Sequence, residues 1–407
     1  LPFIAIAPLS PLVTTIILSF CLLELSSFIG IKILKTFRHV QYSPISKHSI
    51  DSMKVKVIKR MLDGKNSYFQ HSPQLGWTII PNGISGIYKA NSIGIRSSRE
   101  YSVTPQNNII RIASFGDSFT HCDQVENSDT WQVKIENVNE KYEVMNFGVS
   151  GYGPDQAYLR YKIEGVKYQP DIVLIGLMSE NIRRIVNVFR PFYGEKTNFP
   201  LSKPRYIIQN NKLEVIPNPL PSLNHYQEFL DHPDDILPML GENDYHYKTK
   251  YGRGSLDFFS VIKSYKMVRY SLRPDRPINA FTGIYNRDSQ AFQLLCMIIQ
   301  SFYKEIIQNE SIPIIVLFPH SYDIKLKKSG NDLRYKPFLE FLDGEGMTYI
   351  DLFPVIKTAD SRLDIRRLFN GHYTPYTNQI VSEGIIEYLE KNLEEDLKNS
   401  SSFHLGN

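Results

Sequence analysis

Cysteine is scarce in this chain: Cys21, Cys122 and Cys296 are the only three in 407 residues. So few, so far apart, they exclude a disulfide framework and a cysteine-based zinc site, and they leave the redox compartment open. Charge of one sign is also lacking. A formal net charge of +4 gives no electrostatic case for nucleic acid as a partner. Internal repeats are absent, and no residue cluster suggests a metal, so neither a metal nor another cofactor is expected. What remains is ordinary globular material, 42% hydrophobic and 22% charged. Tyrosine and phenylalanine are plentiful, at 25 and 23, which suits a core and an aromatic-lined cleft. The length implies one large domain with additions, or two domains.

Charge is missing most conspicuously at the start. Leu1 to Ile31 contains one charged residue, Glu24. A helix needs about 20 apolar residues to cross a bilayer, and Leu9–Ile31 has that length, so residues 1–34 are expected to be an uncleaved signal-anchor. No small-residue cleavage pattern follows the run. The chain opens on leucine rather than methionine, and a start further upstream is expected. Lys32, Lys35 and Arg38 follow the span; read literally, the positive-inside rule puts the rest of the chain in the cytoplasm. Residues 35–105 read as a polar stalk and a small strand-rich lead-in, with Gly, Pro and Asn punctuating short apolar pieces such as Leu75–Asn82 and Asn91–Arg96. Trp77 reads as packing.

From Asn108 the pattern alternates. Apolar strands are expected at Ile109–Phe115, Tyr142–Phe147, Asp171–Leu177, Ile312–Phe318 and Met347–Leu352. Helical periodicity lies between them at Thr130–Asn139, Asp155–Lys167, Asp288–Gln308 and Arg334–Leu342, and again near Pro375–Leu397. Alternating strands and helices predict a five-stranded, mainly parallel sheet in a flavodoxin-like α/β/α sandwich. It is expected in two parts, 106–190 and 288–398, with a frayed tail at 399–407. Between them, 191–287 breaks the alternation as an insertion or lid, with a hairpin at Tyr206–Val215 turning on Asn210-Asn211 and a helix within Ser255–Leu272.

The first strand stops at Gly116, and the turn after it presents Ser118 at the carboxyl end of the strand, where open α/β sheets place their ligands. A serine nucleophile needs a base and donors for an oxyanion. Among ten histidines, His372 is the best placed. It lies in Asn370-Gly-His-Tyr-Thr-Pro-Tyr, after the last strand and before the last helix, on the same rim as Ser118. The second strand ends in Asn146-Phe-Gly-Val-Ser-Gly151, where Gly151 lets a backbone N–H come close. The third ends in Gly176-Leu-Met-Ser-Glu-Asn181, and Asn181 is placed to offer a side-chain amide. Alone, each of these is as well read as a turn residue; Asp117 reads as bracing its turn.

Together the four pieces resemble the SGNH (GDSL-type) hydrolase superfamily. Gly116-Asp117-Ser118-Phe119-Thr120 is similar to its nucleophile block, Gly151 and Asn181 to its second- and third-block residues, and His372 to its last-block histidine. The resemblance covers roughly 108–397 without the insertion. It implies acyl transfer: Ser118 attacks an ester carbonyl, His372 takes the proton, and the Ser118 and Gly151 N–H groups with the Asn181 amide hold the oxyanion. With the anchor, the chain resembles membrane-attached members that act on O-acyl, chiefly O-acetyl, groups of envelope carbohydrate. That implies a single-pass membrane protein with an extracytoplasmic domain and an acylated carbohydrate or other ester as substrate. A lipid or aryl-ester hydrolase, an O-acetyltransferase and a catalytically weakened glycan-binding protein are the alternatives.

Two departures stand out. The family places an aspartate shortly before the last histidine, and here that position is Asn370, which brings no negative charge. Asp364 or a backbone carbonyl would have to orient the ring, and restoring aspartate at 370 is expected to raise activity. The third block reads Ser-Glu-Asn-Ile instead of Gly-x-Asn-Asp; Gly241-Glu-Asn-Asp244 in the insertion is a decoy. Arg183, Arg184 and Arg190, close after Asn181, are candidate contacts for an acidic or sugar substrate, or one solvated helix face.

Overall fold

The computed structural model describes residues 10–38, 52–194, 197–247, 254–272 and 285–400. Outside these lie 1–9 of the expected anchor, 39–51 of the stalk and lead-in expected at 35–105, 195–196, 248–253 and 273–284 of the expected insertion, and 401–407 of the tail. The organising sheet has five strands: β1 (Ile110–Phe115), β2 (Tyr142–Asn146), β3 (Ile172–Met178), β4 (Ile312–Phe318) and β5 (Tyr349–Asp351). Their order is β2-β1-β3-β4-β5 and every neighbouring pair is parallel. This is the flavodoxin-like order, whose chain reverses direction across the sheet between β1 and β3 and opens a crevice at the carboxyl ends there.

The helices that concern the site are α1 (Pro11–Arg38), α2 (Trp131–Val138), α3 (Pro154–Arg160), α4 (Ser260–Leu272), α5 (Gln290–Gln308), α6 (Lys336–Gly344), α7 (Leu352–Ala359) and α8 (Pro375–Ser400). The strands are buried on both faces, so they read as continuous apolar runs, and successive side chains go to opposite layers. Phe115, Val173, Ile175 and Leu317 pack with Tyr158 and Tyr161, with α5 and with Phe338 of α6. Ile112, Leu174, Val316 and Ile350 pack with Trp131 of α2, Phe353 of α7 and Ile380 to Leu389 of α8. α3 does not continue to residue 167 as a regular helix; it passes into one π turn, Tyr161–Gly165, and one tight turn, Val166–Tyr168.

A third cluster joins the lead-in to the insertion. Trp77 and Tyr152 pack with Phe189, Phe192, Tyr226 and Phe229. The hairpin forms as Arg205–Gln209 against Lys212–Ile216, and Asn210 and Asn211 take φ of 50° and 58°, the left-handed pair that a two-residue turn of this kind requires. Helix α4 starts at Ser260, five residues later than the sequence pattern marks; Asp257, which accepts the Gly254 N–H at 2.7 Å, holds a turn before it.

Candidate active site

Ser118 is the first residue of a short helix, Ser118–His121. Asp117 caps that turn, its Oδ1 accepting the Phe119 N–H at 2.9 Å. Its Oδ2 receives Arg184 Nη1 at 3.0 Å, and the same nitrogen donates to the Tyr152 carbonyl at 2.7 Å. Arg184 therefore locks together the turns that carry Ser118, Gly151 and Asn181. It is buried and committed to this frame, so the expectation that it meets substrate is corrected: a guanidinium with two internal partners at the back of the turns holds the frame.

His372 lies on a tight antiparallel pair, Phe369–Asn370 with His372–Tyr373, and its Nε2 is 2.9 Å from Ser118 Oγ. The opposite side of the ring fixes its tautomer. Gln124 Oε1 accepts the His372 backbone N–H at 2.9 Å and lies 3.2 Å from Nδ1. A backbone N–H only donates, so the atom facing it is the amide oxygen, and the same oxygen then requires a proton on Nδ1. Nε2 is left with its lone pair toward the hydroxyl, the state a general base needs. Gly371 makes room for this contact: it takes φ of +77°, and a Cβ there would fall 2.5 Å from Gln124 Oε1.

The orienting role expected of Asn370 is thereby corrected. Asn370 is exposed, and its partner across the strand pair is His372 itself; with one residue between them at a tight turn, its amide does not reach behind the ring. Asp364 is also excluded as the substitute, since it caps the helix that follows by accepting the Arg366 N–H at 3.0 Å. Gln124 to Glu would put charge behind Nδ1, and we expect kcat to rise several-fold, limited by the exposure of residue 124. Asn370→Asp should leave kcat unchanged. Steady-state rates on an aryl acetate test both, and a gain for Asn370→Asp with none for Gln124→Glu would reverse the assignment.

Sequence reasoning passed over the residues immediately after the nucleophile, His121-Cys-Asp-Gln124. The signal was there: a histidine, an aspartate and an amide three, five and six positions beyond Ser118. Cys122 and Gln124 take left-handed φ of 62° and 70°, which bends the segment back over the turn. Arg96 from the lead-in holds it, with Nη1 donating to the His121 carbonyl at 2.6 Å and to the Cys122 carbonyl, and Nη2 to the Val125 carbonyl. Tyr88 accepts the Gln124 N–H at 2.9 Å. Asp123 Oδ1 takes hydrogen bonds from His121 Nδ1 and Ser150 Oγ, both at 2.6 Å, and its Oδ2 lies 4.0 Å from His372 Nε2. Burial pushes the Asp123 carboxyl up, but the neighbouring His121 and His372 rings and the hydrogen bonds from His121 and Ser150 outweigh it, and the net shift is down. A carboxylate thus stands beside the base on its Nε2 side, where imidazolium charge would develop.

His121 is fully buried. Its Nε2 lies 2.8 Å from Tyr68 OH, so the neutral ring donates from Nδ1 to Asp123 and accepts from the tyrosine. Burial first, then the Arg96 charge, pushes its pKa down to about 4. The unfolded chain binds this proton near pH 6.5 and the folded one does not, so stability rises with pH through the interval. Acidification from about pH 6.5 to about pH 4 is therefore expected to cost on the order of 3 kcal/mol at this one site. Urea melts across that range check it: His121→Asn, which keeps a donor and an acceptor without titrating, should flatten the slope, and an unchanged slope would refute the assignment.

Gly151 takes φ of +86°, and a Cβ there would meet Phe199 at 3.1 Å and Trp77 at 3.2 Å; only glycine fits that wall. Trp77 is buried packing, as its sequence context implied. It stacks on Phe199 of the insertion at 5.2 Å and donates Nε1–H to the Ser150 carbonyl at 2.9 Å. Asn181 opens a tight turn and is 1% exposed. Neither its Nδ2 nor its Oδ1 has a hydrogen-bond partner among the described residues. A buried amide without a partner costs free energy, which an oxyanion donor would recover in the reaction. The Gly241–Asp244 decoy is structural: Asp244 Oδ2 accepts the Asn187 amide at 2.7 Å and the Phe189 N–H at 3.2 Å. Arg183 is half-buried. Arg190 lies with its guanidinium 4.6 Å from the Tyr193 ring, and burial, with the nearby Arg184 charge, lowers its pKa to about 9. Among the described residues no group of three or more His, Cys, Asp or Glu is arranged to hold a metal.

Fold and site together define a three-layer α/β/α protein with a serine–histidine pair on the carboxyl rim of a parallel sheet. No family model and no curated protein matches the chain. Solved structures similar to it include a lipase/acylhydrolase from Enterococcus faecalis, at TM-score 0.35 and 13% identity over 70% of this chain and 98% of that one. A catalytic mutant of an acetylxylan esterase from Geobacillus stearothermophilus aligns at TM-score 0.35 and 10% identity, over 68% and 92%. A member of the lipolytic protein G-D-S-L family from Veillonella parvula aligns at TM-score 0.32 and 14% identity, over 68% and 96%. Likeness at this level assigns neither substrate nor residue roles.

Proposed function

We propose that the chain is a serine ester hydrolase of SGNH type, and the observation that carries this is the Ser118 Oγ–His372 Nε2 contact of 2.9 Å in the tautomer fixed by Gln124. Ser118 Oγ attacks the ester carbonyl as its proton passes to Nε2. The N–H groups of Ser118 and Gly151 and the Asn181 amide receive the carbonyl oxygen as it becomes an oxyanion, and the Asp123 carboxylate offsets the positive charge on the ring. Collapse expels the alcohol, which takes its proton from Nε2. Water, activated by the same nitrogen, then cleaves the acyl-serine and regenerates both groups.

The finer reading is removal of short acyl groups, chiefly acetyl, from an envelope carbohydrate by a membrane-anchored enzyme. Two features support it. The wall behind Gly151 is filled by Trp77 and Phe199, which favours a small acyl group. Helix α1 carries a 23-residue stretch of high hydropathy, Pro11–Ile33, with most of its side chains exposed. Arg183, Arg190 and Tyr193 supply donors and a ring for a sugar acceptor, and Phe199 of the insertion closes the Gly151 side of the rim.

The full chain in lipid nanodiscs should release acetate from O-acetylated polysaccharide and hydrolyse aryl acetate far faster than long-chain aryl esters. A preference for long chains would replace this reading with a lipid esterase, and no hydrolysis of any ester would leave only a binding protein.

A further inference from the structure

Glu24 is the one carboxylate in the Pro11–Ile33 stretch, whose other charge, Lys32, stands at its end, and at 1.5 Å per residue it lies about 14 Å inside the Ile33 end. Such a group is expensive in a membrane unless it is paired. Here it caps a second helix. Its Oε2 accepts the Val261 N–H at 3.0 Å and its Oε1 the Ser260 N–H, two of the donors that the start of α4 leaves without an internal partner. Ser264 Oγ donates to the Ser27 carbonyl at 3.4 Å, and Phe259 meets Phe20 edge-on at 5.2 Å. The contacts advance together, 20 with 259, 24 with 260 and 261, 27 with 264. The two helices therefore run side by side in the same direction, and the turn before α4 lies deepest along α1.

That turn is built for an apolar surround. Its acid, Asp257, is buried and paired with Lys266 at 2.6 Å. Large apolar side chains point outward, from the turn at Leu256 and Phe258, the latter 67% exposed, and from α4 at Tyr265, 60% exposed, and Val268. α4 also carries the half-buried Lys263 and Lys266 and, toward its end, the exposed Arg269. Tyr285, the next described residue after α4, donates its hydroxyl to the Ser179 carbonyl at 2.9 Å, two residues before Asn181.

We propose that residues 254–272 are a second membrane-embedded element: the Leu256–Phe259 turn enters the acyl region beside α1, and α4 rises with it to the headgroups. The occupant of the exposed face is lipid. In lipid, backbone donors must be satisfied within the protein, and Glu24 does this for the buried start of α4, which accounts for a carboxylate in the span. The inference rests on the reading of α1 as an anchor.

The test is spin-label accessibility in the full chain, reconstituted in nanodiscs and carrying Cys21→Ala. Single labels are placed at Leu18→Cys on the anchor, Phe258→Cys on the turn and Val138→Cys on the exposed end of α2. Phe258 is expected to match Leu18, several-fold more accessible to oxygen than to a water-soluble nickel chelate, with Val138 showing the reverse. Glu24→Ala should shift the Phe258 signal toward water. If Phe258 behaves as Val138 does while Leu18 stays in lipid, the proposal fails and the anchor stands. If Leu18 also reads as aqueous, the anchor reading itself has failed. Shielding of Phe258 from both probes would mark a protein contact, such as a second copy of the chain, and would equally overturn the proposal.

Discussion

Ser118→Ala and His372→Ala are each expected to lower kcat for an aryl acetate by about 10⁴-fold or more, with the double variant no worse than either single one. The reason is geometric. At 2.9 Å the two side chains act as one unit: without the ring the hydroxyl keeps its proton, and without the hydroxyl the ring has nothing to activate. What survives in either variant is oxyanion stabilisation and binding, which do not depend on the pair. Losses that multiply in the double variant would mean that serine and histidine act in separate steps, against the mechanism above. Neither substitution disturbs the core, because Ser118 sits at a turn and His372 is only partly covered, so thermal melts should stay close to that of the parent protein.

Asn181→Ala is expected to cost about 10²–10³ in kcat, the loss typical of one oxyanion donor, with little change in KM. Its effect on stability should be of opposite sign. The buried amide has no partner in the resting protein, so its removal relieves a desolvation cost and the melting temperature should hold or rise. An amide kept only for packing would give the reverse pair, a destabilised protein of normal activity. This trade between resting stability and reaction is what a preorganised site produces.

Much of the frame was legible in the sequence because it depends on local pattern. Ile110–Phe115 and Ile172–Met178 are buried on both faces and so read as unbroken apolar runs. Asn210-Asn211 announces its turn because few other residues accept two left-handed positions in succession. The glycine and serine of residues 116–118 stand at a strand end whose direction the alternation itself fixes. The support of the base was not legible. Gln124 reaches His372 across 248 positions of sequence, through two left-handed residues that nothing local dictates, and an arginine at position 96 secures the loop they form. Arg184 misled for a related reason. Its charge suggested solvent or substrate, but Asp117 and the Tyr152 carbonyl, one on each neighbouring turn, draw it inward. In each case the missing information is a pairing between distant segments, which composition and periodicity do not encode.

The most direct test of the central claim is chemical capture of the nucleophile. The full chain is treated with a small fluorophosphonate, which reacts with a serine only when a base has activated it, and the adduct is located by peptide mass. The account predicts one stoichiometric adduct on Ser118, absent in Ser118→Ala, and formed far more slowly in His372→Ala. An adduct on another residue, or equal labelling with and without His372, would contradict it.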